Sequence, residues 1–176
     1  GEWFYRANSE GITIGVCSGV KQTYTDGDGR KRGMKKITII DRLRPQQTFT
    51  VRDGEEKTFI ILLVDGADQL GDVDIKITGS NATVDIIGCI LGYGNRKIEI
   101  SSLQYHGSPS STSDLLIKSV LFDTSKLYYK GLIKIAENAQ KSNAYQKNQN
   151  LLMSKTAWAE SQPYLEIFAN DVRCTH

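Results

Sequence analysis

Val73-Asp74-Ile75-Lys76-Ile77, Thr83-Val84-Asp85-Ile86-Ile87 and Lys97-Ile98-Glu99-Ile100 follow one another, with Gly79-Ser80-Asn81 and Gly92-Tyr93-Gly94-Asn95 between them. Apolar and polar residues largely alternate with period 2 in the three segments, which is the signature of strands with one face buried. The interruptions carry Gly, Asn and Ser, the residues that tight turns use. Further short strands are expected at 117–121, 132–135 and 165–167, at uneven spacings and with mostly small apolar side chains. This is how stacked rungs of a β-solenoid read, each strand pairing with its copy one coil on. No sharp repeat consensus accompanies the pattern, so a sandwich or distorted barrel fits it equally well.

Outward from this stretch the chain stays strand-like. Alternation recurs at 12–14, 37–39 and 49–51, and an apolar strand follows at 59–63. Asp53-Gly54 has the composition of a two-residue hairpin turn, so 49–51 and 59–63 are expected to pair as a hairpin. A second hairpin is expected around the basic tip 26–32. Two stretches, 115–122 and 156–160, have some helical character but are read as strand or loop. Residues 136–150 are rich in amides: Asn138, Gln140, Asn143, Gln146, Asn148, Gln149 and Asn150. They read either as a polar loop or as amides that bridge successive rungs. The apolar Leu151-Leu152-Met153 that follows favours an ordered segment.

Composition narrows the function classes. The chain has 176 residues, 39% of them apolar and 24% charged, as one globular domain or two small ones would. Lys and Arg number 22 against 20 Asp and Glu, a formal charge of +2. That balance gives no reason to expect a nucleic-acid or membrane surface. The longest apolar run, 59–64, is far short of the roughly 18 residues a spanning helix needs. Gly1-Glu2-Trp3-Phe4-Tyr5-Arg6 lacks the layout of a signal peptide, so a cytoplasmic protein is expected. Three widely spaced cysteines (Cys17, Cys89, Cys174) and two histidines (His106, His176) make a poor disulfide framework and suit a reducing compartment.

The last sixty residues carry a specific resemblance. Tyr129-Lys130-Gly131-Leu132-Ile133-Lys134-Ile135, Ala139-Gln140-Lys141-Ser142-Asn143-Ala144-Tyr145-Gln146 and Asn148-Gln149-Asn150-Leu151-Leu152-Met153-Ser154 come in order. Pro163-Tyr164-Leu165-Glu166-Ile167-Phe168-Ala169-Asn170-Asp171-Val172-Arg173-Cys174-Thr175-His176 follows. This series resembles the core of the SufB/SufD family, subunits of the Suf iron–sulfur cluster assembly machinery. Tyr105-His106-Gly107-Ser108-Pro109 and Lys118-Ser119-Val120-Leu121 fit upstream motifs of the same family. The agreement runs from about residue 50 to the end. It implies two regions, 1–50 with N-terminal strands and the basic hairpin, and 51–176 as the family core. The implied fold is all-β, a right-handed parallel β-helix with hairpin-like strands before it.

The resemblance is closer to SufD. Asn148 stands where the scaffold subunit SufB carries a cysteine, and Cys174-Thr175-His176 is similar to a Cys-x-His pair of SufD near its interface with SufB. The implied role is a non-catalytic scaffold or interaction subunit. It would associate with itself, as a homodimer, or with another SufB/SufD-type subunit through Leu165, Ile167, Val172 and His176. No resident cofactor is implied, only iron or an iron–sulfur cluster held transiently at a subunit interface, with Cys174 and His176 as its metal ligands. Thiolate and imidazole are both good iron ligands, and i, i+2 spacing puts them on one face of a strand. Family members have helical terminal regions, one of which docks the SufC ATPase. Neither helical region is read in these 176 residues, so a SufC-type ATPase contact is not expected of them.

Blander readings stand beside these. Cys174 also reads as a small rung residue and His176 as a frayed end. Cys17 and Cys89 sit in apolar company and are expected to be buried. His106 is expected in a loop, solvated or hydrogen-bonded, without a catalytic partner. Asp26-Gly27-Asp28-Gly29 lacks the further ligands of a calcium loop, and Arg30 to Lys36 reads as a solvated basic segment. Asp72, Asp74 and Asp85 are expected to face solvent. The rival function, a β-helix carbohydrate-active enzyme or binding module, would need such carboxylates clustered on one face.

Overall fold

The computed structural model describes residues 36–176, together with a two-residue antiparallel pair, β1 (Ala7–Asn8) and β2 (Gly11–Ile12). The basic tip at 26–32 and Cys17 lie outside the described residues. From residue 36 the chain forms β3 (Lys36–Ile40), β4 (Thr48–Val51), β5 (Glu56–Leu63), β6 (Gln69–Ile77), β7 (Thr83–Gly92) and β8 (Lys97–His106). Then come β9 (Thr112–Leu121), β10 (Lys126–Ile135), β11 (Asn143–Leu152), β12 (Trp158–Ile167) and β13 (Arg173–Thr175). No helix occurs among the described residues. None, therefore, is long and apolar enough to cross a membrane.

Successive strands alternate between two sheets. One runs β12-β10-β8-β6-β4 and the other β13-β11-β9-β7-β5-β3, with every neighbouring pair parallel. This is a β-solenoid, and it removes the sandwich and barrel from consideration. Thr83, Thr112, Asn143 and Arg173 stack at equivalent positions of successive coils. Alternate residues of each strand point inward. Ile86 of β7 lies beside Leu115 of β9, and Val84, Ile90, Ile117 and Leu121 join them in one buried cluster. Burying such side chains contributes about 1.5–3 kcal/mol each.

The hairpin expected at Asp53-Gly54 does not form. β4 belongs to the five-stranded sheet and β5 to the six-stranded one, each pairing in parallel with a strand from another coil. The turn instead carries the chain round a corner of the coil. Gly54, Asn81, Ser110 and Lys141 occupy that corner with φ of 63°, 55°, 57° and 60°. At each, the left-handed conformation aims the N–H at the next coil. Gly54 donates to the Ser80 carbonyl at 2.9 Å, Ser110 to Gln140 at 2.9 Å and Lys141 to Asp171 at 2.6 Å. A turn residue that serves a hairpin by reversing the chain serves a solenoid by linking coils, so composition alone does not separate the two.

Several amides of the 136–150 segment do bridge coils. The Asn138 amide donates to the Gly107 carbonyl at 3.0 Å, and Gln140 Oε1 accepts from the Asp171 N–H at 3.0 Å. The segment is ordered, and its second half is β11.

The core is not uniformly apolar. A large cluster runs from Ile40 to Leu127 and Tyr129, and a small one holds Ile133, Ile135, Ala139, Ala144 and Ala169. Inward positions near the boundary between them are polar: Ser102, Gln104 and His106 on β8, Ser113 on β9 and Gln146 on β11, all buried.

Candidate functional site

The C-terminal coils hold the residues expected to act. In the first of the two sheets, inward columns continue strand by strand. Leu165 of β12 lies beside Ile133 of β10, and Ile167 beside Ile135. The two β10 residues are fully buried, yet Leu165 and Ile167 are 37% and 42% exposed. These two positions would face the core in any earlier coil, and among the described residues no strand pairs beyond β12. Leu152, aligned with the buried Leu121, is likewise exposed, as are Leu151, Met153, Tyr164 and Phe168.

The backbone is open at the same place. β12 ends its sheet, so one edge of a ten-residue strand has no strand paired to it among the described residues. In the other sheet β13 pairs only with Asn143, Ala144 and Tyr145, and the rest of β11 has no second neighbour among the described residues. A long edge of this kind is a template for another strand. Its side chains are half apolar and half held in place. Lys134 pairs with Glu166 at 2.9 Å and lies 5.6 Å from the Phe168 ring centroid, while Lys130 lies 5.2 Å from that of Tyr164.

Cys174 lies in β13 beside Ala144 and packs, half-buried, against the small apolar cluster with Val172. Burial pushes its thiol pKa up, which holds the group as the neutral thiol. His176 follows the strand and is exposed. No group of three or more His, Cys, Asp or Glu side chains placed to hold a metal occurs among the described residues. The two donors therefore amount to half of a tetrahedral site, and any further ligands have to come from outside this set.

Two other expectations change. Cys89 is exposed, not buried. Ile86, Gly88 and Ile90 take the inward positions of β7, which turns Ile87 and Cys89 outward. An unbroken apolar run does not reveal strand parity, and a shift of one residue reverses every side chain. His106 is not in a loop. It closes β8 as an inward residue between Ile77 and Ile135 of the neighbouring strands and is fully buried.

His106 is held on both ring nitrogens. Nδ1 lies 2.7 Å from Ser111 Oγ and Nε2 lies 2.8 Å from Ser113 Oγ. The network is satisfied by the Nδ1–H tautomer: Nδ1–H donates to Ser111, whose own hydroxyl donates to the Ser108 carbonyl at 3.1 Å, and Ser113 donates to Nε2. Ser142 joins at 3.0 Å from Ser111. Burial alone lowers the imidazole pKa to about 4, so the ring is neutral near pH 7. Ser111, Ser113 and Ser142 are themselves buried, so no substrate reaches them. The cluster is a structural clasp between coils, and the close Ser–His contacts are not a hydrolytic site. The spacing of inward polar residues (Ser102, Gln104, His106) is the signal that would have placed it.

The aspartates do not gather on one face. Asp72 and Asp74 are outward on β6, whereas Asp85 is on β7 of the other sheet, beside Asp114 of β9. Partial burial raises the pKa of Asp74 and of Asp114, with the neighbouring Asp72 and Asp85 adding to the effect. The three expected aspartates are thus split between the two sheets, Asp72 with Asp74 on one and Asp85 with Asp114 on the other.

Comparison with known proteins agrees with the geometry. The family described as SUF system FeS cluster assembly, SufBD core domain, matches residues 46–176. The iron–sulfur cluster assembly protein SufD of Escherichia coli is 31% identical over 114 residues, 65% of this chain and 27% of that protein. SufD of Bacillus subtilis is 26% identical over 125 residues, 71% of this chain and 28% of its own. A SufBD family protein of Synechocystis is 21% identical over 131 residues, 73% of this chain and 29% of its own. The matched region thus spans a little over a quarter of the length of these relatives.

Proposed function

Because this chain belongs to the SufBD core family of iron–sulfur cluster assembly proteins, we propose that it is a non-catalytic, SufD-like scaffold subunit that binds its partner through the C-terminal coils. The observation that carries this reading is the match of residues 46–176 to the SufBD core family on an all-parallel β-solenoid. Among the described residues, Leu165 and Ile167 continue buried columns yet are exposed, and one edge of β12 has no strand paired to it. Pairing that edge with a strand of a second subunit would satisfy its backbone groups and cover the apolar side chains in one step. The partner is a second copy of this chain or another SufB/SufD-type subunit. The reading places the protein in the cytoplasm, where Cys89 and Cys174 stay reduced.

Light scattering on the eluting peak in size-exclusion chromatography tests the association. A dimer is expected at micromolar concentration. The double variant Leu165→Glu, Ile167→Lys is expected to weaken it by about 100-fold or more, as removal of central apolar contacts does. A monomeric wild-type chain that also fails to bind a SufB/SufD-type subunit would sink the proposal.

Cys174 and His176 are the donors this chain offers to iron or a cluster as cargo, with the remaining ligands supplied by the partner. Anaerobic incubation of the assembled complex with iron and sulfide is expected to develop a charge-transfer absorbance. That absorbance should weaken in Cys174→Ser and in His176→Ala. Equal absorbance in wild type and both variants removes the pair from the site and leaves the scaffold role standing.

A further inference from the structure

The polar part of the lumen holds more hydrogen-bonding groups than it pairs. Gln104 is fully buried, and neither its amide oxygen nor its amide nitrogen has a partner. Gln146 is 2% exposed; its nitrogen donates to the Gly131 carbonyl at 3.3 Å, but its Oε1 is unpartnered. The Ser102 and Tyr129 hydroxyls bond each other at 3.0 Å. That contact uses one of their two protons and leaves the other over. Burial pushes the Tyr129 pKa up to about 12, so its proton is retained.

These groups are neighbours. On β8 and β10, Ser102 pairs with Gly131 and Gln104 with Ile133, one inward step further along. Gly131 lacks a side chain where one would collide: a Cβ there would fall 2.4 Å from both Gln146 Oε1 and the Tyr129 hydroxyl. The glycine thus lets Gln146 and Tyr129 close over the β10 backbone beside Ser102, and with Gln104 they make up a polar cell of the lumen.

We infer that this cell binds ordered water, with Gln104 as its principal anchor. A buried amide without partners is costly, whereas a buried water with two to four polar contacts is a common component of protein interiors. The cell offers the full complement: two donors and an acceptor on Gln104, an acceptor on Gln146 and the spare hydroxyl proton. Water is the one small ligand that donates and accepts in all these directions without bringing a charge into the lumen. It would connect the amides of β8 and β11, which no direct bond joins, across the region where the two apolar clusters separate.

The test is a substitution whose two explanations differ in sign. Gln104→Met keeps the length of the side chain and removes its hydrogen-bonding capacity. In a hydrated cell the change deprives the water of its anchor and strands Gln146 Oε1, so the melting midpoint of the full chain falls by about 4 °C or more. In a dry cell it removes a desolvated amide, and the midpoint stays level or rises, which overturns the inference. NMR provides a second reading on the unsubstituted chain. A long-lived water is expected to show cross-relaxation to the Gln104 side-chain amide protons, and absence of that transfer also overturns it.

Discussion

Lowering the pH from about 6.5 to 4 is expected to remove about 3 kcal/mol of folding stability through His106 alone. The folded imidazole titrates at about 4 because burial opposes its charge, whereas the unfolded residue titrates near its ordinary value of 6.5. Between those values the unfolded chain binds a proton that the folded chain refuses. Stability therefore rises with pH across the window and is lost as pH falls through it. Below about 4 both states are protonated and the loss is complete. The physical conflict is plain in the geometry. Protonated His106 donates from both nitrogens, so Ser113 must turn its own proton away from Nε2, into a site with no other acceptor for it among its hydrogen bonds. Urea titrations from pH 7.5 to 4, on wild type and His106→Gln, check this. Gln lacks the titration, so the difference between the two curves should shrink as pH falls, whatever the variant costs at pH 7. A difference that is constant with pH would rule out His106 as the source.

Gly79→Ala is expected to destabilise the protein by about 3 kcal/mol, through one added methyl group at a corner. A Cβ at Gly79 would sit 2.0 Å from the carbonyl carbon of Arg52 and from the amide nitrogen of Asp53. Both are backbone atoms of the preceding coil, so no side chain can move aside. The coils must part locally, and the links that cross the gap there include Gly79 N–H to the Val51 carbonyl at 3.2 Å, Gly54 N–H to the Ser80 carbonyl at 2.9 Å and Ser80 N–H to Asp53 Oδ1 at 2.7 Å. Gly94→Ala is the control, since nothing lies within 4 Å of its Cβ and only its positive φ of 64° opposes the change. Chemical denaturation of both variants should show the first to be much the weaker. Equal losses would mean that conformation, not contact between coils, sets the demand for glycine.

The two corners show how far turn chemistry carries. Asp53-Gly54 announces a left-handed residue, and the structure has one at Gly54. It says nothing about whether the following strand folds back on its neighbour or moves on to another sheet. That choice depends on which distant strand supplies the hydrogen-bonding edge, and those edges lie one coil away.

Strand existence was legible wherever period 2 is written into the segment, and lost at β11, whose amides read as a polar loop or as bridges between rungs. The family was legible through the ordered motifs after Tyr129. Parity was legible where polar residues mark the outward face, as in β6, and lost where both faces are apolar. That is why Cys89 reads as buried and is exposed. His106 failed for the opposite reason. A polar residue beside Gly107 and Ser108 looks like a loop residue until Ser111 and Ser113, five and seven residues on, are folded back against it across the corner. No periodicity reports that contact, nor the link from Ser111 to Ser142 one coil further on.

The sequence by itself determined that this protein is built of short strands, through local alternation, and to which family it belongs, through the order of motifs. Tertiary structure alone decided what each inward position meets. The same side of a strand gives Ile133 a dry core, Gln104 an unpaired amide and Leu165 an open end. In a solenoid the environment of a residue is set by the coil above and the coil below it, and those neighbours are supplied by register, not by adjacency in the chain.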